Sequence, residues 1–323
     1  MRFRPRFCPR SDCPAHRSGP LFRCQRAGLY SRRCDRRRVQ RFQCLTCQRG
    51  FSTQTFRVDY RLKRPGLLLP LLRDRYSKVT HRQSARTLFC SRSTEERHFR
   101  RIAEHCRELH DARLAEVAAR GGLGRSFLLD ELETYEHHRT KKPVTVPVLI
   151  ERKSGFVLDL KVGSMVARGK RRPGAARRSE SRQRVREAFR LLWDFAPKDR
   201  AIGVTTDEKP SYAAILRRLF GKRCFHIQIT AKRLRDGRNP LCPVNHTCAR
   251  LRDGVSSLVR ETWAASKKRR GLRERLAIWI CYRNYIRGRI NREPRRTPAM
   301  ALGVTRDQYT PRRLLAWRVF PGR

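Results

Sequence analysis

Between residues 125 and 230 the chain alternates short apolar runs with helical patterns, and this order constrains the fold more than any other feature. Residues 127–133 (FLLDELE) form an apolar run that ends in acids. Two more strand patterns follow at 144–150 (VTVPVLI) and 156–162 (FVLDLKV), joined by a tight turn at Lys153, Ser154 and Gly155. Residues 179–196 repeat apolar positions at helical spacing, with Val185, Phe189, Leu192 and Trp193 on one side. A fourth strand at 201–207 (AIGVTTD) again ends in Asp. Pro210 then opens a helix over 211–220, and 224–229 reads as a fifth strand.

Three strands, a helix and a β-α-β unit are the order of an RNase H-like fold with a mixed five-stranded sheet. In that fold the first and fourth strands lie side by side and parallel. Asp130 and Asp207 occupy corresponding points on those strands, so they would meet. Two carboxylates held together repel unless a cation sits between them. Hard divalent ions, Mg²⁺ or Mn²⁺, prefer such oxygen ligands. Either Asp alone would read as a strand-end acid that starts a turn. As a pair they point to metal-assisted phosphodiester chemistry.

The partner follows from charge. Lys and Arg total 78 against 28 acids, a net +50, and 65 of the 78 are Arg. Coding bias exchanges Lys for Arg but does not create such an excess. A polyanion that neutralises it, with release of counterions, is the physical answer, and nucleic acid is the obvious one. The chain has no apolar run of membrane-spanning length, and its first residues (MRFRPRFCPR) lack the apolar stretch of a secretory signal. The expectation is a cytoplasmic, nucleoid-associated protein without a membrane partner.

Six of twelve cysteines fall within the first 47 residues. In a reducing compartment such a cluster binds metal rather than forming disulfides. Cys8 and Cys13, then Cys44 and Cys47, are spaced to form two knuckles that aim four thiolates at one structural Zn²⁺. Cys24 and Cys34 lie between the pairs, so spacing leaves open which four of the six bind, and His16 is a weaker fifth candidate. Phe42 and Phe51 would cover the metal in a zinc-ribbon hairpin.

Residues 61–118 read as helix-turn-helix. Leu67, Leu68, Leu69, Leu71 and Leu72 make an apolar helix, and 81–89 a short one with Ala85, Leu88 and Phe89 inward. After a turn, Ser93 or Thr94 caps a third helix, with Glu96 placed for a capping box. Arg92, Arg97, His98, Arg100 and Arg101 would face phosphates and base edges. The expected organisation is multi-domain α+β: a zinc ribbon over 1–60, helix-turn-helix over 61–118, the RNase H-like domain over 125–290 and a basic tail over 291–323.

Taken in order, RFQCLTCQRGFS (41–52), Ser84-Ala85-Arg86-Thr87-Leu88, DELETYEHH (130–138), TTDEKPSY (205–212), NPLCPVNHTCARLR (239–252), RETWAASK (260–267) and TPAMALG (297–303) resemble the insertion-sequence DDE transposases that begin with a zinc finger and helix-turn-helix. The resemblance spans nearly the whole chain. It implies a transposase that binds terminal inverted repeats, cleaves DNA with Mg²⁺ or Mn²⁺, and joins the freed 3′-OH to target DNA, acting as a homodimer or larger assembly. The family's first two catalytic aspartates fall on Asp130 and Asp207. At the third position, where glutamate is usual, the match places Asn245, a neutral oxygen ligand that some similar transposases also carry. Glu261 is the rival, 16 residues further on, which is roughly 24 Å along a continuous helix. Its other reading is a solvated ion pair with Arg260 or Lys267.

Two alternatives stay open: a decayed transposase that only binds DNA, and an RNase H-like nuclease. Lys267 and Lys268 open a charge run suited to phosphate contact. Trp263, Leu272, Leu276, Trp279 and Ile280 are expected in the core of a helical stretch over 247–286. The loop carrying Arg168 and Arg172 is expected to order on DNA.

Overall fold

The computed structural model describes residues 3–16, 22–140, 142–167, 178–230, 232–234 and 236–318. The Arg168–Arg172 loop lies outside them. It is a mixed α+β structure with two sheets. Among the described residues no helix is long and apolar enough to cross a membrane.

The first sheet is small and antiparallel: β1 (Cys24–Ser31), β2 (Arg38–Cys44) and β3 (Gly50–Ser52), in that order. β1 bulges between Arg26 and Leu29, where Gly28 takes φ +81°, a conformation costly for any residue with a Cβ. Asp59 closes this unit from below. It is buried among Arg32, Arg37 and Arg57, whose guanidiniums lie 2.8 to 3.0 Å from its carboxylate.

Three helices follow: α1 (Leu68–Arg75), α2 (His81–Thr87) and α3 (Arg92–Ala118). Thr80 caps α2 through a capping box with Gln83. The cap of α3 is Ser91, whose hydroxyl accepts from the Thr94 amide at 3.2 Å. The helix therefore starts earlier than a Ser93 or Thr94 cap would set it, and Glu96 pairs with Arg92 at 2.8 Å instead of closing a capping box. Phe89 does not turn inward. It sits at φ +46° in the turn and is 88% exposed.

The second sheet comprises β4 (Ser126–Tyr135), β5 (Pro143–Glu151), β6 (Val157–Leu160), β7 (Gly163–Ser164), β8 (Ile202–Asp207) and β9 (Cys224–Ile229). Its order is β6-β5-β4-β8-β9, with β7 also on β5. β4 pairs with β8 in parallel, and β8 with β9 in parallel, as the strand order predicts. The sheet has six strands rather than five because Gly163 and Ser164 pair with Thr145 and Val144. Two residues carry no alternation that a sequence pattern could reveal.

Each face of this sheet is covered. On one face, Phe127, Leu129, Leu149 and Val204 meet α4 (Ser181–Phe195), through Val185, Phe189 and Leu192, and α5 (Pro210–Phe220), through Tyr212 and Leu216. On the other, Leu128, Leu132, Val146 and Ile229 meet α6 (Cys242–Gly254) through Val244 and Leu251, and α7 (Arg269–Cys281) through Leu276 and Trp279. The first core does not stop at the sheet. Ile102, Leu109, Leu114 and Val117 of α3 belong to it, so the long helix is continuous with the α/β layer. Within 291–323, α8 (Pro298–Ala301) and α9 (Pro311–Ala316) add Ala299, Leu314 and Leu315, and the Leu314 carbonyl lies 2.8 Å from His105 Nε2.

The helical stretch expected over 247–286 is interrupted. α6 ends at Gly254, where a Cβ would come within 2.8 Å of the Trp279 indole nitrogen, and Val255 is extended. A short 3₁₀ turn, Ser256–Leu258, and irregular chain carry the path to α7. Trp263 lies in that irregular chain and is fully exposed, not core, whereas Leu272, Leu276, Trp279 and Ile280 are buried as expected.

Candidate metal and carboxylate sites

Two groups of side chains have the chemistry of sites. The first is in the small sheet. The turn before the metal knuckle is closed by bonds from the Cys8 and Cys13 amides to the carbonyls of Ala15 and Arg10, both 3.1 Å. The second knuckle folds the same way, Cys44 N–H to Arg49 O at 3.1 Å, with Gln48 at φ +57°. The result brings the sulfurs of Cys8, Cys13, Cys44 and Cys47 within 4.8 Å of one another. Cys8 to Cys47 is 3.7 Å and Cys13 to Cys44 is 3.9 Å. A tetrahedron with Zn–S bonds of about 2.3 Å has edges of about 3.8 Å. The four thiols form a group that could hold a structural metal such as zinc.

Electrostatics fit that donor set. Burial raises the Cys44 thiol, but the amides of Cys47 and Thr46 outweigh it and bring its pKa down to about 7. Burial pushes Cys8 well up, as a thiol does before a cation compensates it. Cys24 is half-buried beside the group and Cys34 is exposed. His16 Nδ1 is 2.7 Å from the Cys8 carbonyl, which gives the ring a structural partner.

The apolar core of this unit is small: among the described residues, the buried cluster around the cysteines adds only Ala15, Phe42, Phe51 and Phe56, with Val39 buried on β2. Metal affinity of about 10 kcal/mol or more would therefore dominate its stability. Cys44→Ser is expected to release one equivalent of zinc per chain and to open residues 1–60 to protease, leaving the larger sheet intact. Elemental analysis of reductively purified protein checks the first point: full zinc retention in Cys44→Ser, or none in the wild type, contradicts it.

The second group is at the ends of β4 and β8. Their parallel register pairs Leu128 with Thr205. Continued by two residues, that register would bring Asp130 level with Asp207, and strand alternation assigns both to the face lined by Leu128 and covered by α6. Asp207 is itself paired across to Ile229, which lies in that same core. Both carboxylates are half-buried. Asp130 accepts from the Glu131 amide at 2.8 Å. Burial raises the Asp207 carboxyl. The Lys209 amide opposes this, and the negative charges of Glu131 and Glu208 add to it. Asn245 is in the first turn of α6, next to Val244, whose side chain is buried against this face. Glu261 is exposed in the irregular chain beyond Gly254. The continuous helix that separated the two by length does not exist.

Sequence reasoning missed Glu131. It points to the opposite face, where its carboxylate is bound by Lys209, by Ser181 Oγ and Tyr212 Oη at 2.7 Å, and by Thr145 Oγ1 at 2.8 Å. Burial pushes this carboxyl up, but the Lys209 ammonium and the two hydroxyls outweigh it and hold it low. The lock ties β4 to the residues just after Asp207. Its partners Lys209 and Tyr212 lie 78 and 81 positions away, too far for any local pattern to reveal.

The basic side chains divide by partner. Arg97 is exposed on α3. Arg92 pairs with Glu96, and Arg100 lies 3.9 Å from the same carboxylate. Arg101 donates to the carbonyls of Tyr60 at 2.5 Å and Val58 at 3.3 Å, and His98 is buried, so these two brace the fold. Lys267 and Lys268 are exposed, whereas Arg269 is tied to Glu180 at 2.6 Å and Arg270 to Glu274 at 2.8 Å.

No protein-family model and no curated protein matches the chain. Among solved structures, a pre-cleavage Mos1 transpososome is similar over 66% of this chain and 70% of that one, at 12% identity and a TM-score of 0.28. A likeness of that size leaves fold and chemistry to be argued from the chain itself.

Proposed function

We propose that the chain is a DNA transposase of a bacterial insertion sequence with an RNase H-like catalytic layer. The observation that supports this reading is the parallel β4–β8 pairing, which reaches Leu128–Thr205 and, continued by two residues, would bring Asp130 beside Asp207 on the face covered by α6. Asn245, in the first turn of that helix, supplies a third oxygen. A donor set of carboxylate and amide oxygens suits a hard divalent ion. Bound Mg²⁺ or Mn²⁺ would supply activation of the attacking oxygen and stabilisation of the leaving one.

The chain's own residues do the rest. Asp130 and Asp207 orient the charge centre, and the Glu131–Lys209 lock fixes the strand and turn that carry them. Exposed Arg97, Lys267 and Lys268, in a chain of net +50, take phosphates. The Cys8, Cys13, Cys44 and Cys47 group holds zinc and shapes the first sheet for recognition of the element's ends. The acting form is a dimer or larger assembly on DNA.

One observation favours a second reading. Asn245 brings no charge where an acid would complete the set, as in a decayed enzyme that retains only DNA binding. Incubating purified protein with DNA carrying the sequences that flank its gene, and Mg²⁺ or Mn²⁺, separates the two. Nicking and joining at those ends is the expected result. Specific binding without any nick supports the second reading, and neither binding nor nicking removes both.

A further inference from the structure

The irregular chain between α6 and α7 presents a ring that the carboxylate face does not use. Trp263 has a relative exposure of 103%, the highest of the large apolar side chains described. The chain around it is pinned. The Thr262 carbonyl accepts from Tyr135 Oη at 3.2 Å, and Thr262 Oγ1 accepts from the Ala264 amide at 3.0 Å while donating to the Ser256 carbonyl at 3.2 Å. On the far side the His137 amide donates to the Ser266 carbonyl at 3.2 Å, and Ala265 and Ser266 are buried. A loose loop could leave an indole in solvent by default. Here the backbone is fixed on both sides and only the ring is left out.

Charge around the ring selects the ligand. Arg260, Lys267 and Lys268 are exposed and enter no ion pair among those described, while Glu261 is the one acid of the segment 260–268. A flat π-face bracketed by cations is what binds single-stranded nucleic acid: the ring stacks on a base and the cations follow the backbone. Within a duplex the base faces are already stacked on one another, so the ligand must be an unpaired nucleotide. The pinning residue Tyr135 lies five positions beyond Asp130 on β4, about 17 Å at strand rise.

We propose that Trp263 is a stacking platform for an unpaired nucleobase, with Arg260, Lys267 and Lys268 taking the neighbouring phosphates. This binding requires no cleavage, so its test is independent of the transposase reading. The full-length protein, without added divalent cation, is titrated with an oligothymidylate of about 12 nucleotides, within the span one such site covers. The same titration is run with a blunt duplex of equal length.

The oligothymidylate is expected to quench tryptophan fluorescence. Trp263→Ala should abolish most of that quenching and weaken single-strand affinity by about tenfold. Trp263→Phe should restore most of the affinity, and duplex affinity should stay within about twofold throughout, since phosphate contacts carry it. Because the ring buries nothing, melting temperature should not change, which confirms that the variants fold. Equal loss on single strand and duplex, or no loss on either, overturns the proposal. So does an unchanged single-strand affinity accompanied by loss of self-association in sedimentation, which assigns the ring to a protein contact.

Discussion

Asp130→Asn and Asp207→Asn are each expected to abolish metal-dependent DNA cleavage, by about 10³-fold or more, while DNA affinity holds or rises slightly. Each change removes one negative charge from a site that must compensate dications, and each lowers repulsion with phosphate. Loss of a single preorganised electrostatic group in other enzymes costs about 10²–10³ in rate, and a metal ligand carries more than one such contact. Asp207 adds a sign that separates chemistry from damage. Its folded carboxyl is raised, first by burial. A raised carboxyl costs stability at any pH above its unfolded value, where it must ionise in the fold. Asp207→Asn lifts that cost, so the metal-free variant should melt higher at neutral pH while being inactive. A variant that is inactive and also melts lower would point to misfolding instead. Asn245 gives the finer test. If it completes the donor set, Asn245→Ala cripples cleavage and Asn245→Glu preserves or raises it. If Glu261 does, Glu261→Gln is inactive and Asn245→Ala nearly silent. Full cleavage in both aspartate variants, read on labelled end DNA, removes the RNase H-like assignment.

Deleting residues 1–118 should leave a chain that does not fold. A modular reading of the sequence predicts otherwise: loss of end recognition with weak, salt-sensitive DNA binding retained. The structure alters that expectation because Ile102, Leu109 and Leu114 are at most 1% exposed, and Phe99 and Val117 join the same core as the sheet. Stripping side chains of this size exposes about 1.5–3 kcal/mol each. Five of them come to about 8–15 kcal/mol, comparable to the about 5–15 kcal/mol that holds a domain together. The truncated chain should lack a cooperative melting transition and bind dye that reports exposed apolar surface. A fragment starting near residue 61, by contrast, should melt cooperatively. A well-folded 119–323 fragment would show that α3 is dispensable to the core.

What the sequence disclosed follows from how locally each feature is encoded. The parallel neighbours β4 and β8 were legible because their apolar runs end in acids, and β9 because a short apolar run follows the helix that Pro210 opens. The cysteine knuckles were legible because ligand spacing is local. Three kinds of feature were not. The two-residue β7 has no period. The helical pattern runs on past the break after Gly254, where the indole of Trp279 from another helix leaves no room for a Cβ, a contact that no local pattern contains. Trp263 read as core because apolar residues at helical spacing normally pack, and only the break puts it in solvent. The Glu131 lock is a tertiary event among groups on four elements, β4, β5, α4 and the start of α5, and no window along the chain contains it.

The 27 residues of α3 form one unbroken rod, about 40 Å long. One end shows Arg97 to solvent and the other is embedded under the sheet, with no hinge between. On the transposase reading such a rod is a gauge. A flexible linker would let the chemistry search along DNA for its bond, whereas a rigid strut sets both reach and azimuth. About 40 Å corresponds to roughly a dozen base pairs of B-DNA, a little more than one helical turn. Each base pair added between the docked sequence and the scissile bond would then rotate that bond by about 35° around the duplex, away from the carboxylates, rather than merely move it further off.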